Sequence, residues 1–426
     1  MKREKEETVN IGIGFATGRK QFLHLLKSYF LNWQESGLIG DENIKINLFV
    51  AYDLKYRGTK KADYTAIPGA ISALIENTFF IGSREIAQAQ YELKQYGIAD
   101  EGNADLLFGK GYAAQRNIIL YYAIKNNIDY LLFLDDDEYP VAVTKNKNVA
   151  LWSGQHVLTK HLENIATADI TCGYHCGYIS PIPAFEFTDQ LPETVFQQFI
   201  GALSNDILNW DNMKKVLNNG GVTYAETDVL IAEEVISEPE IQHTKFISGS
   251  NLCINLKDPL RVFPFYNPPG ARGEDTFLST CLSQREVLRI PCYTFHDGFS
   301  AYKHLLSGVL PRQLKPIDAA AESVLRRFYA ACVGWIRYKP LLLYITNRDH
   351  YQERIKIAEE QLKETLPLIC DYFDTKSFMK ILPELKKYTA AVEEHYAAFE
   401  ETKALWAKLM EVLRDPPSSL DKRGSH

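Results

Sequence analysis

The first half of the chain alternates short apolar runs with stretches of helical periodicity. Residues 8–17 and 44–52 are apolar runs of strand length, and residues 21–33 between them repeat apolar positions at helical spacing. A strand, a helix and a strand in this order predict two parallel strands joined by a right-handed crossover. The chain therefore opens as an α/β protein does.

A later run, residues 128–134, is apolar almost throughout, which is typical of a strand covered on both faces. A strong helix is predicted just before it, over residues 112–126. Residues 246–256 predict a strand, a turn and a strand, residues 273–284 a helix, and residues 287–295 a strand. These elements extend the predicted parallel sheet and its covering helices.

Three segments do not follow this alternation. Residues 56–108 look irregular with some helical stretches, and residues 186–240 look like a helical or loop insertion. Residues 318–414 are helical, with heptad-like apolar positions and many charges, and they predict a separate helical subdomain. A length of 426 residues allows two or three domains.

Composition and charge exclude few classes of protein. The net charge of −7 argues against bulk nucleic-acid binding, which favours basic faces, but leaves room for a local basic groove. Of the seven cysteines only Cys172 and Cys176 are close together, and no second pair follows at a zinc-site spacing. We therefore expect buried or reduced thiols, which fit a cytosolic setting.

The sequence has no predicted membrane span. No run reaches the ~18–20 apolar residues that a span needs, and the charged first residues lack a signal-peptide core. Residues 335–345 are the most membrane-like stretch, but charges and Pro340 interrupt them. We expect a cytoplasmic protein, and contact of this stretch with a membrane surface is the alternative to packing in the core.

The strongest chemical signal is an acidic cluster. Asp135, Asp136 and Asp137 stand at the carboxyl end of the buried strand 128–134, where open α/β sheets place their ligands. Adjacent carboxylates repel one another unless a cation neutralises them, and oxygen-rich sites suit Mg²⁺ or Mn²⁺, especially when phosphates complete the shell. A solvated acidic turn that caps the next helix is the alternative.

Two helix starts carry further candidate groups. Lys110 and Arg116 lie at the start of the helix before the acidic strand, where free N–H groups and the helix dipole attract phosphate. Glu274 and Asp275 begin another helix, and one of them would act as a general base on an acceptor hydroxyl. The alternatives are a glycine-rich cap with Arg116 in a surface ion pair, and ordinary acidic capping.

A histidine at the end of strand 287–295 is a candidate metal ligand. Neutral imidazole binds metals, so His296 would complete a shell that Asp137 begins. His304, eight residues later, is the competing ligand. An ordinary core or surface histidine is the alternative.

Taken in order, these motifs resemble the GT-A glycosyltransferases, above all the large family 2 group and its relatives. The resemblance covers roughly residues 8–305. Six elements carry it: the opening strand with Arg19, the helix with Arg116, the Asp135-Asp136-Asp137 cluster, the Gly249-Ser250-Asn251 turn, the Glu274-Asp275 pair and His296. The chain departs from the family at Ala16-Thr17, where a proline is usual, in the long insertion, and in lacking the Gln-x-x-Arg-Trp motif of processive synthases.

The resemblance implies a role for each of these residues. The predicted contacts of the nucleotide and donor sugar are Ala16, Thr17, Arg19, Asp53, Lys110, Arg116, Asp135, Asp136, Gly249 and Ser250. Mn²⁺ or Mg²⁺ would be held by Asp137, Asp135 and His296. Asp275, with Glu274 as its neighbour, would be the base of an inverting displacement; in a retaining enzyme it would only contact the acceptor or sugar.

The resemblance thus implies an α/β protein of the GT-A type, with a mostly parallel sheet flanked by helices and a C-terminal helical subdomain. Its function would be metal-dependent transfer of a sugar from a UDP- or GDP-sugar to a hydroxyl acceptor such as a glycan. The predicted division is a catalytic domain at 1–310, with a nucleotide-sugar half at about 8–140, an acceptor half at about 141–310 and an insertion at about 186–240, then a helical subdomain at 311–415 and a disordered tail or tag remnant at 416–426.

Two other functions remain open at the level of sequence. A sugar-1-phosphate nucleotidyltransferase can share a related sheet, but it usually carries a longer glycine-rich basic loop after its first strand than residues 16–20 provide. A non-catalytic scaffold is the second, with assembly into homo-oligomers through the helical tail. The presence of all the expected acids disfavours the scaffold.

Overall fold

The computed structural model describes residues 8–55, 58–100, 102–203, 210–300, 305 and 308–415. His304 and the predicted tail at 416–426 lie outside these residues. The strands are β1 Val9–Thr17, β2 Ile44–Tyr52, β3 Asn77–Ile81, β4 Tyr130–Phe133, β5 Glu138–Tyr139, β6 Val141–Asn146, β7 Val149–Gly154, β8 Ile170–Gly177, β9 Ile236–Ser237, β10 Glu240–Ile241, β11 Thr244–Lys245, β12 Leu252–Asn255 and β13 Val287–His296.

Helices cover the sheet and form most of the C-terminal part of the chain. The α-helices are α1 Phe22–Glu35, α2 Ala62–Thr65, α3 Gly69–Ser72, α4 Ser83–Gln95, α5 Ala104–Phe108, α6 Tyr112–Lys125, α7 Val157–Ile165, α8 Glu193–Leu203, α9 Trp210–Asn218, α10 Thr227–Ala232, α11 Glu274–Ser279, α12 Glu322–Thr346, α13 Tyr351–Tyr372, α14 Ile381–Ala390 and α15 Val392–Arg414.

One nine-stranded sheet organises the described part of the chain. Its order is β3-β2-β1-β4-β12-β8-β13-β5, with β9 paired to β13. Strands β3, β2, β1, β4, β8 and β13 point the same way, because each parallel pairing, and the shared antiparallel neighbour β12, fixes their direction. The sheet is thus mostly parallel and flanked by helices, and the predicted α/β class is confirmed.

Strand direction decides where the chemistry collects. The carboxyl ends of parallel strands meet at one edge of a sheet, and ligands bind there. Here that edge receives Thr17 from β1, Asp53 after β2, Asp135 after β4 and His296 from β13. Side chains that are far apart in the sequence therefore share one edge.

Most predicted elements are present, and three predictions were wrong in part. The described residues between 58 and 108 are more regular than predicted: besides helices they include the edge strand β3, a five-residue strand whose side chains are mostly half-exposed and so lack a clear pattern. Residues 246–256 contain one strand, β12 at Leu252–Asn255, and not two, since Asn251 adopts a positive φ of 50° and breaks the extended chain before it. The helix predicted to reach residue 284 ends at Ser279.

Two hydroxyl groups explain the early end of α11. Ser279 Oγ donates to the carbonyl of Thr276 at 2.6 Å, and Thr280 Oγ1 donates to the carbonyl of Phe277 at 2.7 Å. Such local bonds from side chain to backbone compete with helix propagation. The helix therefore stops after its second turn, which leaves Glu274 and Asp275 on a short element.

The C-terminal helices pack against the rest of the chain through three hydrophobic clusters, one of which joins α12 and α15 to Phe277 of α11. Helix α15 buries Trp406 in the core on one face of the sheet, and the Trp406 indole donates to the carbonyl of Val262 at 2.9 Å. Helices α12 and α13 share a second hydrophobic cluster with α8 of the insertion. The boundary near residue 310 stays a prediction.

The apolar stretch 335–345 lies within α12, and Ile336, Leu341, Leu342 and Leu343 are buried among other protein side chains. No helix in the part of the chain that the structure describes is long and apolar enough to cross a membrane.

The two neighbouring cysteines, Cys172 and Cys176, are both buried on β8, where burial raises the pKa of each thiol to about 12.

We expect Trp406→Ala to lower the free energy of unfolding by about 3–5 kcal/mol, because it removes a buried indole from the core under the sheet. The measurement is equilibrium unfolding in urea. Lys408→Ala, an exposed site on the same helix, should change it by less than about 0.5 kcal/mol. Equal stability of the two variants would show that α15 packs only loosely on the sheet core.

Candidate active site

A cavity of about 740 Å³ opens at the carboxyl edge of the sheet. Its floor is made by residues that follow β1, β2, β4 and β13, and one wall is made by helix α12. The predicted site residues that line it are Ala16, Thr17, Arg19, Asp53, Arg116, Asp135, Asp136, Asp137, Glu274 and His296. A volume of this size is typical of a small-molecule site, about 300–1,000 Å³.

Two arginines neutralise the acidic cluster from opposite sides. Arg19, in the loop after β1, lies 3.0 Å from an Asp136 oxygen and 2.5 Å from an Asp137 oxygen. Arg116, on α6, lies 3.0 Å from an oxygen of Asp135. The three carboxylates therefore do not depend on a metal ion alone for their counter-charge.

Asp136 is the carboxylate that fixes the loop after β1. It accepts hydrogen bonds from the hydroxyl of Thr17 at 2.6 Å and from the backbone N–H of Gly18 at 3.3 Å. Burial raises its pKa and the charge of Asp137 raises it further, while Arg19 and these donors lower it. Asp136 therefore links the end of β1 to the residues after β4, and it also lines the cavity.

Asp137 and His296 form the closest pair of candidate metal ligands. His296 Nε2 lies 3.3 Å from Asp137 Oδ2, and the other ring nitrogen, Nδ1, lies 2.7 Å from the carbonyl of Tyr178. A ring N–H donated to a carbonyl in this way orients an imidazole toward a metal or an acid. Although burial opposes charge on both groups, their attraction lowers the pKa of Asp137 and raises that of His296 to about 9.

The donor set fits a cation that takes most of its ligands from a substrate. Among the described residues no group of three or more His, Cys, Asp or Glu side chains is arranged to hold a metal ion. Asp137 and His296 supply two ligands at one place, and phosphate oxygens are the usual remainder for Mg²⁺ and Mn²⁺. Asp135, the third predicted ligand, faces Arg116 instead.

Arg116 links the acidic cluster to the second pair of acids. It is buried, its guanidinium lies over the rings of Phe133 and Phe265, and its Nε is 3.5 Å from Glu274 Oε1. Burial raises the pKa of Asp135 to about 7 in spite of Arg116. Arg116, at the helix start that was predicted to attract phosphate, therefore pairs with two carboxylates, those of Asp135 and Glu274.

Glu274 and Asp275 differ in what they face. Glu274 lines the cavity, whereas Asp275 lies behind it and accepts hydrogen bonds from the backbone N–H groups of Gly249, at 3.1 Å, and Thr276, at 2.8 Å. Burial and the neighbouring Glu274 raise the pKa of Asp275 to about 6. The structure therefore puts the predicted neighbour, and not the predicted base, on the cavity wall.

Three other predicted contacts lie outside the cavity lining. Lys110 is exposed and stands before the helix that carries Arg116. Gly249 packs under Arg116, where an added Cβ would come within 2.9 Å of the guanidinium. Ser250 is buried and acts on the backbone: its hydroxyl accepts from the N–H of Asp135 at 2.9 Å.

A buried carboxylate that the sequence did not single out supports the floor of the site. Glu138 accepts hydrogen bonds from the hydroxyls of Ser250, at 2.8 Å, and Thr294, at 2.7 Å, and lies 3.2 Å from His175 Nδ1. Glu138, the residue after Asp137, therefore links β13 and the 249–251 turn to the acidic cluster. Its place next to the acidic cluster was the only available signal.

The arginines of the cavity lining were also not predicted, apart from Arg19 and Arg116. Arg326 and Arg327 of α12, and Arg272 before α11, line the cavity with Phe299. The Arg327 guanidinium donates to the carbonyl of Gly298 and lies 4.2 Å from the centre of the Phe299 ring. A basic residue on a long charged helix has no sequence signal that distinguishes it from a solvated one.

We expect the metal-free protein to lose stability as the pH rises from about 6 to 9. The pKa of His296 is about 9 in the folded chain and near its ordinary value of about 6.5 in the unfolded chain, so its contribution is complete below 6.5 and lost through 9. The raised pKa of Asp135, about 7, also makes the protein less stable as the pH rises, because this carboxyl ionises less easily in the folded chain than in the unfolded chain. Its contribution falls at the lower end of the pH interval.

Melting temperatures at several pH values in a chelating buffer measure this slope. His296→Gln should flatten it between about pH 6.5 and 9, whereas His24→Gln, at an exposed site, should leave it unchanged. A wild-type melting temperature that is constant over this interval would contradict the His296–Asp137 ion pair.

Comparisons with known proteins do not assign the chain to a family. No protein-family model matches it, and no curated protein matches it. Among solved structures, the apo form of mouse xyloside xylosyltransferase 1 matches over 65% of this chain and 74% of that chain, at 11% identity and a TM-score of 0.23. Because this TM-score is low, the match carries no argument about residues or activity, and the function has to be argued from the site.

Proposed function

We propose that this protein is a glycosyltransferase that moves a sugar from a UDP- or GDP-sugar to a hydroxyl acceptor. One observation supports this most: a cavity at the carboxyl edge of the sheet has the Asp137–His296 pair on its floor and the Glu274 carboxylate on its wall. A donor with a diphosphate and an acceptor with a hydroxyl need those two kinds of group in one cavity. The resemblance in sequence motifs has the same implication.

The donor side of the proposal rests on the residues at the ends of β1, β2 and β4. Asp53 would contact the base of the nucleotide, and the loop of Ala16, Thr17 and Arg19 its ribose and diphosphate; all four residues line the cavity. Asp137 and His296 would hold Mn²⁺ or Mg²⁺. When bound, such an ion stabilises negative charge on the leaving nucleotide diphosphate.

The acceptor side rests on the two acids of α11. We assign the proton-accepting role to Glu274, because it lines the cavity, and a positioning role to Asp275, because two backbone N–H groups already bind its carboxylate. Glu274 would take the proton of the attacking hydroxyl as the bond to the leaving diphosphate breaks. Attack from the side opposite the leaving group inverts the anomeric centre.

We expect Asp137→Asn to abolish Mn²⁺-dependent binding of UDP or GDP without unfolding the protein. Calorimetric titration of the wild type with UDP, GDP and CMP, with and without Mn²⁺, identifies the nucleotide first. Asp189→Asn, an exposed acid outside the cavity, should bind as the wild type does. Unchanged metal-dependent affinity in Asp137→Asn would remove the acidic cluster from the proposed site, and a wild type that binds none of the three nucleotides would reject the function.

We expect Glu274→Gln to keep nucleotide affinity and to lower turnover by roughly 10²-fold or more, the usual range for a group that moves a proton. Release of the nucleotide from the matching donor sugars measures turnover. Asp275→Asn, the matched amide variant next to it, should lose less. A larger loss in Asp275→Asn than in Glu274→Gln would return the role of base to Asp275.

A further inference from the structure

Four of the five arginines that line the cavity fall into two groups, and the fifth, Arg327, is bound to the carbonyl of Gly298. Arg19 and Arg116 lie on the sheet side and are bound to the carboxylates there. Arg272 and Arg326 lie on the wall that α12 forms, and both are exposed. No ion pair joins either of these two arginines to another residue in the part of the chain that the structure describes.

Two arginines without an ion pair that line the same cavity can bind an anionic ligand. The guanidinium is always charged, and its planar set of donors matches carboxylate and phosphate groups. Four of the five acids that line the cavity, Asp135, Asp136, Asp137 and Glu274, already face Arg116, Arg19 or His296, and among the described residues the fifth, Asp53, forms no ion pair with Arg272 or Arg326. The second group of arginines is therefore available to a substrate.

Arg272 is attached to the acceptor side by sequence and by packing. It stands two residues before Glu274, the proposed base, in the same turn. Its side-chain stem lies across Gly334 of α12, where an added Cβ would come within 3.3 Å of the Arg272 Cδ atom. Arg272 therefore lines the cavity close in sequence to the proposed base.

Arg326 lies where the cavity continues away from the donor side. It lines both the 740 Å³ cavity and a second cavity of about 720 Å³. The second cavity lies between residues 184–185, just before the insertion, and the C-terminal helices, and Phe185, Tyr329 and Tyr372 are among its lining residues. An acceptor longer than one sugar unit would pass Arg326 on its way out of the first cavity.

We propose, on the basis of the function proposed above, that the acceptor carries an anionic group, a carboxylate or a phosphate, and that Arg272 and Arg326 bind it. The donor diphosphate is bound separately, by the groups at the ends of β1, β4 and β13. The protein therefore selects its acceptor by charge, through a wall that includes a helix of the C-terminal segment.

Calorimetry with matched charged and neutral probes tests this proposal. Glycerol 3-phosphate and glucuronate are the anionic probes, glycerol and glucose their neutral counterparts, each titrated into the full chain with and without the nucleotide it binds. We expect binding of an anionic probe only, weakened at least about tenfold in Arg272→Gln and in Arg326→Gln, since a charge-assisted bond is lost. Arg84→Gln, an exposed arginine outside the cavity, should bind as the wild type does.

The nucleotide titration separates this inference from the function on which it rests. The proposal requires that Arg272→Gln and Arg326→Gln keep the wild-type affinity for the nucleotide. A parallel loss of nucleotide affinity would assign these arginines to the donor diphosphate and overturn it, as would equal binding of charged and neutral probes. A wild type that binds an anionic probe but no nucleotide would reject the transferase function and, with it, the acceptor role of this anion site.

Discussion

The neutralisation of three adjacent carboxylates is the constraint on which the rest of the site depends. Asp135, Asp136 and Asp137 are held in a partly buried edge where each unpaired charge would be costly. Their partners come from two other elements, Arg19 after β1 and Arg116 on α6. Because β1 is hydrogen-bonded to β4 and α6 leads into β4, only this strand order brings both arginines to the same three acids.

A second layer of polar contacts keeps that edge in place. Glu138 collects the hydroxyls of Ser250 and Thr294, and Ser250 in turn accepts from the backbone of Asp135. Buried polar groups that are satisfied in this way favour one arrangement over its neighbours, because any shift leaves a donor or acceptor unpaired. The strand ends are thus fixed by side chains that do not themselves line the cavity.

The sequence predicted those parts of the molecule in which apolar residues recur with a regular period or charged residues cluster. The strands around 8–17, 44–52 and 128–134 were predictable because they are buried on both faces, and the acids and His296 because they follow such strands. The edge strand β3 was missed because its side chains are half-exposed. The sequence could not predict which of Glu274 and Asp275 lines the cavity. That depends on which carboxylate the N–H of Gly249 binds, and this is a contact between distant segments.

The part of the cavity without a sequence signal is also the part that comes from the C-terminal helices. Helix α12 is positioned by packing: its apolar face shares a cluster with α8 and α13, and this packing turns Ser323, Arg326 and Arg327 toward the sheet edge. Under the proposed function the donor groups lie at strand ends that the sheet fixes. Of the acceptor groups, Arg326 lies on a helix that the insertion supports, and Glu274 lies on α11, which packs against that helix through Phe277. The acceptor side therefore depends on packing among helices, whereas the donor side depends on the pairing of strands, and substitutions in the helical packing should affect the acceptor side first.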